Sequence, residues 1–411
     1  MDKSLLLKYA KLVVTTGVNI QKGQIVSLVS SIAAYDLALL VLEECYKLGA
    51  KKVRIQWTDD KASHIQYKYE NSQDLMDIGT SNANVRNDIT SCGGCYIRII
   101  SDVPGILKDV DSRKLSEVTK NIRKELAPTM KAVTNSDVQW TIVAYPNLDW
   151  AKICFPKLSN EKALEKLTLG ILNSVKIDKT SNPIANWKKH NINIHKRVDK
   201  MNKFNFKNLI FKNSLGTNIT IDLVQNHVWQ GGSGKANINN AEFNANMPSE
   251  EIWCMPHKDN VNGIVYNTKP LNYNGNIIDG FKLVFKDGKI VSYSAKVGSS
   301  TLKQLINSDD GSKSIGEVAL VPFESPISKS GILFFSTLQD ENASCHLAIG
   351  CSYPSNIKGG VTMTREELMK HGGNFSNEHV DFMFGSKDLS VVGTTYNGKT
   401  IQVFKNGNFV I

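Results

Sequence analysis

Residues 24–57 read QIVSLVSSIAAYDLALLVLEECYKLGAKKVRIQW, and three secondary-structure patterns follow one another within them. Residues 24–30 form a short run rich in β-branched side chains. Residues 33–48 carry apolar side chains at helical spacing and end before Gly49, a residue type that commonly follows a helix. Residues 52–57 return to a strand pattern. Strand, helix and strand at this spacing indicate a βαβ unit, which implies a parallel sheet.

The same alternation continues on both sides of this unit. Residues 3–15 have the spacing of an amphipathic helix, and later segments predict strands at 96–100 and 140–145 and helices at 112–126 and 160–175. The first strand is followed by Ser30-Ser31-Ile32-Ala33-Ala34 instead of a glycine-rich phosphate loop, so we expect no dinucleotide cofactor. Residues 1–185 are therefore predicted to form an α/β domain with a mainly parallel sheet.

The second half of the chain has a different texture. A polar, turn-forming stretch at 178–186 marks the predicted boundary, and a predicted helix over 184–201 follows it. Short β-rich runs then alternate with dipeptides typical of hairpin turns. These dipeptides are Asn262-Gly263, Asp287-Gly288, Asn397-Gly398 and Asn406-Gly407. With further helices predicted at 299–306 and 364–371, residues 186–411 are expected to form a β-rich α+β domain.

The overall composition bounds the possible functions of the chain. Its 411 residues are 41% hydrophobic and 21% charged, as in a soluble globular protein with two domains. We find no apolar run long enough to span a membrane, and the N-terminus has the pattern of a helix instead of a signal peptide, which predicts a cytoplasmic protein. The net charge of +10 raises nucleic acid as a partner, but the basic run at 188–197 fits one solvated helix face. We therefore expect no nucleic-acid partner and no membrane partner.

The cysteines do not indicate a disulfide framework. Seven cysteines are spread without framework spacing, which fits a reducing compartment. Cys92 and Cys95 form a C-x-x-C motif, but a strand pattern follows it, whereas a redox motif should open a helix. Cys345 and Cys351 flank His346 and are interpreted as packing residues, because hard ligands already lie beside them.

The last third of the chain carries side chains that suit divalent metal ions. In His379-Val380-Asp381, residues two apart in a strand point to one face, so both side chains can reach one ion. Glu317 interrupts the apolar strand pattern of residues 315–320, and burying that carboxylate without a cation would cost several kcal/mol. His346 lies beside apolar residues, where a histidine can equally be a core group. Carboxylates with imidazoles suit one or two ions that activate water, which predicts a hydrolase.

Several stretches in the same order resemble the aminopeptidase T and aminopeptidase S family of dinuclear metallo-aminopeptidases. They are residues 246–251 (NMPSEE), 315–320 (IGEVAL), 340–353 (DENASCHLAIGCSY) and 379–383 (HVDFM). The resemblance covers nearly the whole chain, and it implies removal of N-terminal residues from peptides and a homodimer. It also implies two divalent ions, zinc, cobalt or manganese, and six ligands. The implied ligands are Glu251, Glu317, His346, Tyr353, His379 and Asp381. One departure is Glu250, because the family usually has glycine before the first ligand.

The resemblance leads to a mechanistic hypothesis in which a metal-activated water attacks the scissile carbonyl. One of Glu251 and Glu317 would bridge the ions, and we favour Glu317 as the base that accepts the proton from water. Tyr353 would bind as a phenolate or stabilise the tetrahedral oxyanion. Three alternatives stay open: a metal-dependent amide hydrolase acting on another small peptide-like substrate, a nucleic-acid-binding protein, and a metal-binding scaffold without activity.

Overall fold

The computed structural model describes residues 2–411. The chain divides into two compact units, one of residues up to 190 together with 233–248, and one of 191–232 together with 249–411. The sequence predicts an N-terminal domain at 1–185 and a catalytic domain at 186–411. This assignment of function to the two parts of the chain stays a prediction.

Helices and strands alternate through the first half of the chain, and strands dominate the second. In chain order, the α-helices are α1 Lys3–Leu12, α2 Tyr35–Lys47, α3 Asp60–Tyr69, α4 Ser72–Met76, α5 Thr80–Ser91, α6 Ser112–Glu125, α7 Ala127–Thr134, α8 Leu148–Cys154, α9 Asn160–Ser174, α10 Pro183–Phe204, α11 Ser299–Ile306, α12 Pro326–Ser330, α13 Thr337–Asp340 and α14 Arg365–Lys370. The strands are β1 Ile25–Ser31, β2 Lys52–Thr58, β3 Cys95–Ile100, β4 Trp140–Ala144, β5 Phe206–Lys212, β6 Asn218–Leu223, β7 Gly234–Lys235, β8 Glu242–Phe243, β9 Asn246–Met247, β10 Ile252–Cys254, β11 Pro256–Tyr266, β12 Leu271–Tyr273, β13 Asn276–Ile278, β14 Lys282–Lys286, β15 Lys289–Ser294, β16 Ile315–Leu320, β17 His346–Gly350, β18 His379–Met383, β19 Ser390–Thr395, β20 Thr400–Lys405 and β21 Asn408–Phe409.

The first unit is built on a parallel sheet with strand order β2-β1-β3-β4-β9. The β1–α2–β2 segment forms the βαβ unit that the sequence predicts, and Val26 and Leu28 of β1 are fully buried. The predicted helices and strands that follow it in this unit agree with the structure to within one or two residues at each end. The parallel α/β architecture of this half is therefore confirmed.

Helices α3 to α5, α7 and α8 of this unit are absent from the sequence prediction. Helix α3 has no buried residue, so its sequence lacks the apolar stripe by which amphipathic helices are found. Its start depends instead on Asp59, whose carboxylate accepts hydrogen bonds from the Lys61 and Ala62 backbone N–H groups at 2.7 and 3.1 Å.

The second unit is rich in antiparallel strands, as predicted. An eight-stranded sheet has the order β15-β14-β11-β6-β5-β19-β20-β21, and a four-stranded sheet has the order β10-β16-β17-β18. Residues of both sheets share one hydrophobic cluster, in which Phe211 and Phe384 pack edge to face with centroids 5.3 Å apart. The four-stranded sheet thereby packs one face against this hydrophobic cluster.

One turn prediction is wrong. Asn262-Gly263 lies inside β11, where Gly263 pairs with Ile219 and Phe285 on the neighbouring strands. Gly263 has φ +128°, and a Cβ there would lie 2.2 Å from the Asn218 carbonyl oxygen. Glycine is thus needed at this position for close backbone approach and not for a turn. The other three predicted dipeptides do join consecutive strands.

The remaining sequence expectations concern thiols and membranes. Cys92 follows the C-terminus of α5 and Cys95 begins β3, and burial raises the pKa of the Cys95 thiol far above its ordinary value. A helix C-terminus disfavours a thiolate, so this position does not suit redox chemistry. Within residues 2–411, none of the helices combines the length and the apolar character required to cross a bilayer.

Candidate metal centre

The four-stranded sheet brings the predicted ligands to one face through its strand register. Ala348 of β17 lies opposite Glu317 of β16 and opposite Asp381 of β18. Because directly opposite residues in an antiparallel sheet project from the same face, the two carboxylates point to the same side. His346 and His379 lie two residues from members of this row and share that face.

Small side chains leave room above the centre of this face. Ala319 lies opposite His346, and both Ala319 and Ala348 are fully buried. Glu251 comes directly before β10, whose Ile252 pairs with Leu320 of β16. Glu251 therefore reaches the face from the side, while Glu317 and Asp381 rise from within the sheet.

Glu317 lies between two imidazoles. One of its oxygens is 3.6 Å from the His346 Nε2, and the other is 3.8 Å from the His379 Nε2. Glu251 Oε2 lies 3.0 Å from the same His346 nitrogen, and Asp381 Oδ1 lies 3.6 Å from that of His379. Two ligand groups result within the described chain, Glu251 with Glu317 and His346, and Glu317 with His379 and Asp381. Glu317 belongs to both.

Backbone carbonyls hold both imidazoles in the orientation that a metal site needs. The Nδ1 of His346 lies 3.1 Å from the Ser344 carbonyl oxygen, and the Nδ1 of His379 lies 2.8 Å from that of Cys351. When each Nδ1–H donates to its carbonyl, each Nε2 faces the carboxylates. A proton on the His346 Nε2 can then bond to Glu251, and a bound metal ion would replace that proton. Such a second hydrogen bond is the usual way in which a metal-binding histidine is oriented.

The electrostatics of this face favour a cation. Burial raises the pKa of Glu317, and the charges of Asp381 and Glu251 raise it further, although the two imidazoles act in the opposite direction. Burial alone would lower the pKa of His346, but hydrogen bonds to Glu251 and Glu317 raise it well above its ordinary value. Neighbouring carboxylates therefore destabilise one another's charged forms, which a divalent ion would relieve.

One atom tests directly whether a metal ion fits. The Oδ1 of Asp381 is buried and has no hydrogen-bond partner among residues 2–411. An unpaired buried carboxylate oxygen is costly unless a cation accompanies it. Carboxylates with imidazole Nε2 atoms form a donor set that borderline and hard divalent ions prefer, so the residues present fit a metal ion.

Tyr353 is the sixth predicted ligand and lies at the edge of the cluster. Its ring packs against that of His379 with centroids 4.7 Å apart. Burial raises the pKa of its phenol well above the ordinary value, and the carboxylates of Glu317 and Asp381 raise it further. These shifts favour the protonated phenol, which can donate a hydrogen bond.

A further carboxylate, Glu341, is not among the residues predicted from the sequence. It is buried in a short turn before β17, and burial followed by the charges of Glu251 and Asp381 raises its pKa well above the ordinary value. Its sequence signal is weak, because it stands in a polar run between Asp340 and Asn342.

Glu250, which replaces the glycine usual in the family, is buried beside the first ligand. Its backbone N–H donates to the Asn342 side chain at 2.6 Å. It belongs to neither ligand group found among the described residues. The assignment of the first ligand to Glu251 is therefore consistent with the geometry.

Known proteins share this architecture over its full length. The solved structure of wild-type AmpT from Thermus thermophilus matches this chain with a TM-score of 0.92, 31% identity and full coverage of both chains. Aminopeptidase AmpS of Bacillus subtilis is 41% identical over 401 residues, which cover 98% of this chain and 97% of the relative. Aminopeptidase 2 of Geobacillus stearothermophilus is 40% identical over 402 residues with the same coverage.

A family model agrees with these relatives. The model of the thermophilic metalloproteases (M29) matches residues 2–409. The match includes every residue of the two ligand groups on the four-stranded sheet. The chain therefore belongs to the M29 family of thermophilic metalloproteases.

Proposed function

We propose that this protein removes N-terminal residues from peptides with two divalent ions held on the face of the four-stranded sheet. It is an M29 metallo-aminopeptidase, a hydrolase of peptide bonds, as its family and its full-length relatives show. The two-ion arrangement is supported by one observation above all. Glu317 directs one oxygen toward each imidazole, as a carboxylate shared by two ions would.

The ligand roles follow from the two groups of side chains. Glu251 and His346 would hold one ion, His379 and Asp381 the other, and Glu317 would bridge them. Zinc, cobalt or manganese suits these donors. When bound, such ions polarise a scissile carbonyl and lower the pKa of a water molecule toward neutrality.

The proton of the attacking water needs a base on the protein. The sequence favours Glu317, but both oxygens of Glu317 already face imidazoles. Glu341 interacts electrostatically with Glu251, Asp381 and His346, although it belongs to neither ligand group. We assign the proton transfer to Glu341 and the bridging position to Glu317.

Tyr353 would stabilise the developing oxyanion. Its phenol is beside His379, and burial with the neighbouring carboxylates raises its pKa, which favours the protonated form that can donate a hydrogen bond. A donor aimed at the charge that develops in the transition state lowers the barrier more than it strengthens substrate binding.

The requirement for a free N-terminus is part of the proposal. Glu251, Glu317, Glu341 and Asp381 outnumber the two imidazoles, so two divalent ions would balance their charge, and an ion with an open position would hold the neutral α-amine of a peptide. A homodimer, a cytoplasmic location and the absence of a nucleic-acid partner are further parts of the proposal, and they come from the resemblance and the composition alone.

Turnover of aminoacyl-p-nitroanilides tests the proposal. Chelator-stripped protein receives zinc, cobalt or manganese singly, and release of the chromogenic amine is followed for wild type and His379→Ala. We expect metal-restored turnover that the substitution abolishes. No turnover with any metal, despite metal uptake by the wild type, would contradict the aminopeptidase assignment.

N-acetylated peptides separate this function from its alternative. An amide hydrolase acting on another small peptide-like substrate would use the same metal chemistry but would not require the free amine. We expect cleavage of Leu-Gly-Gly and none of its N-acetyl form. Comparable cleavage of both would favour the alternative.

A further inference from the structure

The parallel sheet of the first unit carries a crevice at the carboxyl ends of its strands. Its volume is about 470 Å³, within the range of about 300–1,000 Å³ typical of small-molecule sites. The lining residues come from the carboxyl end of β1 and from the segments that follow β1, β2, β3 and β4. They are Ser31, Ile32, Ala33, Asp59, Asp60, Lys61, Ser101, Val103, Asn147, Leu148 and Asp149.

The topology places this crevice where parallel sheets bind ligands. In the order β2-β1-β3-β4, strand β1 continues through α2 to β2 on one side, whereas β3 continues to β4 on the other. Connections that leave adjacent strands in opposite directions open a gap above the sheet. Ligands of open α/β sheets bind at such switch points.

Two buried serines offer hydrogen-bond donors to this crevice. Ser31 and Ser101 are 7% and 3% exposed. The Ser31 Oγ accepts from the Ala33 N–H at 3.3 Å, and the Ser101 Oγ accepts from the Asn147 amide at 3.0 Å. Within residues 2–411 neither hydroxyl proton has an acceptor, so an acceptor group from a ligand would complete both.

A carboxylate in the same crevice offers an acceptor. The Oδ2 of Asp60 accepts from the Val103 N–H at 2.7 Å, and its other oxygen has no hydrogen bond within the described chain. The Lys61 Nζ forms a salt bridge with the Asp149 Oδ2 at 2.7 Å. The Asp59 carboxylate caps the N-terminus of α3. Three carboxylates against one lysine make the crevice negative. This charge disfavours ligands with a net negative charge, such as phosphates and nucleotides, but not a net-neutral zwitterion.

The carboxylates are not arranged as a metal site. Among the residues that the structure describes, the groups close enough to hold an ion all belong to the second unit. The crevice is lined in addition by apolar Ile32, Val103 and Leu148. A ligand that fits has an ammonium group for Asp60, a carboxylate for the serines and an apolar side chain.

We propose that this crevice binds a free apolar α-amino acid, separately from the metal centre. The ammonium group donates to Asp60, and the carboxylate accepts from the Ser31 and Ser101 hydroxyls. The proposal does not rest on the aminopeptidase assignment, because each contact comes from the first unit.

Equilibrium dialysis with radiolabelled L-leucine on the full-length, metal-loaded protein tests this site. Wild type should bind one more leucine per chain than Asp60→Asn or Ser101→Ala, in which the crevice affinity falls roughly 10- to 100-fold. Asp111→Asn is the matched control, since Asp111 is an exposed carboxylate that caps α6 in the same unit. This control should bind as wild type does.

The competitors define which groups matter. Leucinol, which lacks the carboxylate and has no bond that the metal centre could hydrolyse, and 4-methylpentanoate, which lacks the ammonium group, should each compete at least tenfold more weakly than leucine. Equal leucine stoichiometry in wild type and both crevice variants would overturn the proposal. So would leucinol competing as well as leucine, or Asp60-dependent binding of calcium that displaces leucine. Failure of p-nitroanilide turnover would leave these results unaffected.

Discussion

The four-stranded sheet and the parallel-sheet unit both hold carboxylates, but the surroundings of these carboxylates differ. On the four-stranded sheet, Glu317 and Asp381 lie within strands on a buried face, among imidazoles and other carboxylates. In the parallel-sheet unit, Asp59 and Asp178 lie in turns and accept hydrogen bonds from backbone N–H groups. The neighbouring donors therefore decide whether a carboxylate stabilises the fold or is left to bind a cation.

The pKa shifts of Glu317 and Asp178 have opposite signs. Burial raises the pKa of Glu317, so its ionised form is destabilised until a cation compensates it. Hydrogen bonds from the Ser181 and Thr180 backbone and hydroxyl groups lower the pKa of Asp178. Substitutions at the two kinds of site should therefore differ in size and in pH dependence.

Removal of a ligand should have the largest effect. We expect His379→Ala and Glu317→Gln to lower kcat/KM at least about 1,000-fold, which corresponds to about 4 kcal/mol of transition-state stabilisation. His64→Ala is the control, because His64 forms a solvent-exposed pair with Asp109 in the first unit, at 2.8 Å. Steady-state kinetics with saturating metal gives the comparison. An equal loss in His64→Ala and His379→Ala would contradict it.

The assignment of the base to Glu341 predicts a loss of activity of a different kind, one without loss of metal. Glu341→Gln should lower kcat by about 100- to 10,000-fold, the range of general acid–base catalysis, while metal content stays at the wild-type value. Glu317→Gln should lose metal as well as activity. Elemental analysis of both variants after dialysis separates these outcomes, and metal loss in Glu341→Gln would make it a ligand instead.

Much of this site could be predicted from local sequence, and the rest depended on register. The spacing of His379 and Asp381 predicts one face of a strand, and Glu317 interrupts an apolar strand pattern. No local sequence pattern indicates that Ala348 lies between Glu317 and Asp381 in one row across three adjacent strands. Pairing between strands that are distant in sequence leaves no short-range signal. Glu341 was missed for the same reason, since its burial comes from tertiary packing.

The fold shows a similar division. The βαβ unit at 24–57 is predictable because its apolar spacing changes from period 2 to period 3.6 and back. The turn predicted at Asn262-Gly263 is wrong because glycine is needed there for close contact with the Asn218 backbone. A local sequence pattern does not distinguish such a glycine from one in a turn. Helix α3 is hidden because its residues do not face a core.

Asn374 should have an intermediate effect on metal affinity. Its side-chain amide donates to the carbonyls of Gly350 at 2.6 Å and Gly311 at 2.8 Å. It thereby fixes the segment that leads to the Cys351 carbonyl, which orients His379. Asn374→Ala should weaken metal binding by about 10- to 100-fold, as loss of supporting hydrogen bonds around a metal site does. Competition with a metal indicator measures this, and unchanged affinity in a folded variant would contradict it.

Asp178→Ala should have the smallest effect of these variants, a small loss of folding stability. The pH dependence of that loss tests whether the pKa of Asp178 is lowered in the folded protein. Because the folded-state pKa of Asp178 is lowered, its stabilising contribution is present above the ordinary pKa of 3.8 and is lost as pH falls below it. The urea midpoint of the variant should lie slightly below wild type at pH 7, and the difference should shrink below pH 4. A difference that grows on acidification would contradict the assignment.

Metal titration of chelator-stripped protein tests the central claim most directly. Cobalt, followed by its visible absorption and by direct metal analysis, should saturate wild type at two equivalents per chain, with Glu317→Gln losing both and His379→Ala losing one. Saturation at two equivalents with this pattern supports a pair of ions that share Glu317. A single equivalent in wild type, or two equivalents retained in Glu317→Gln, would contradict a bridged two-ion centre on this sheet.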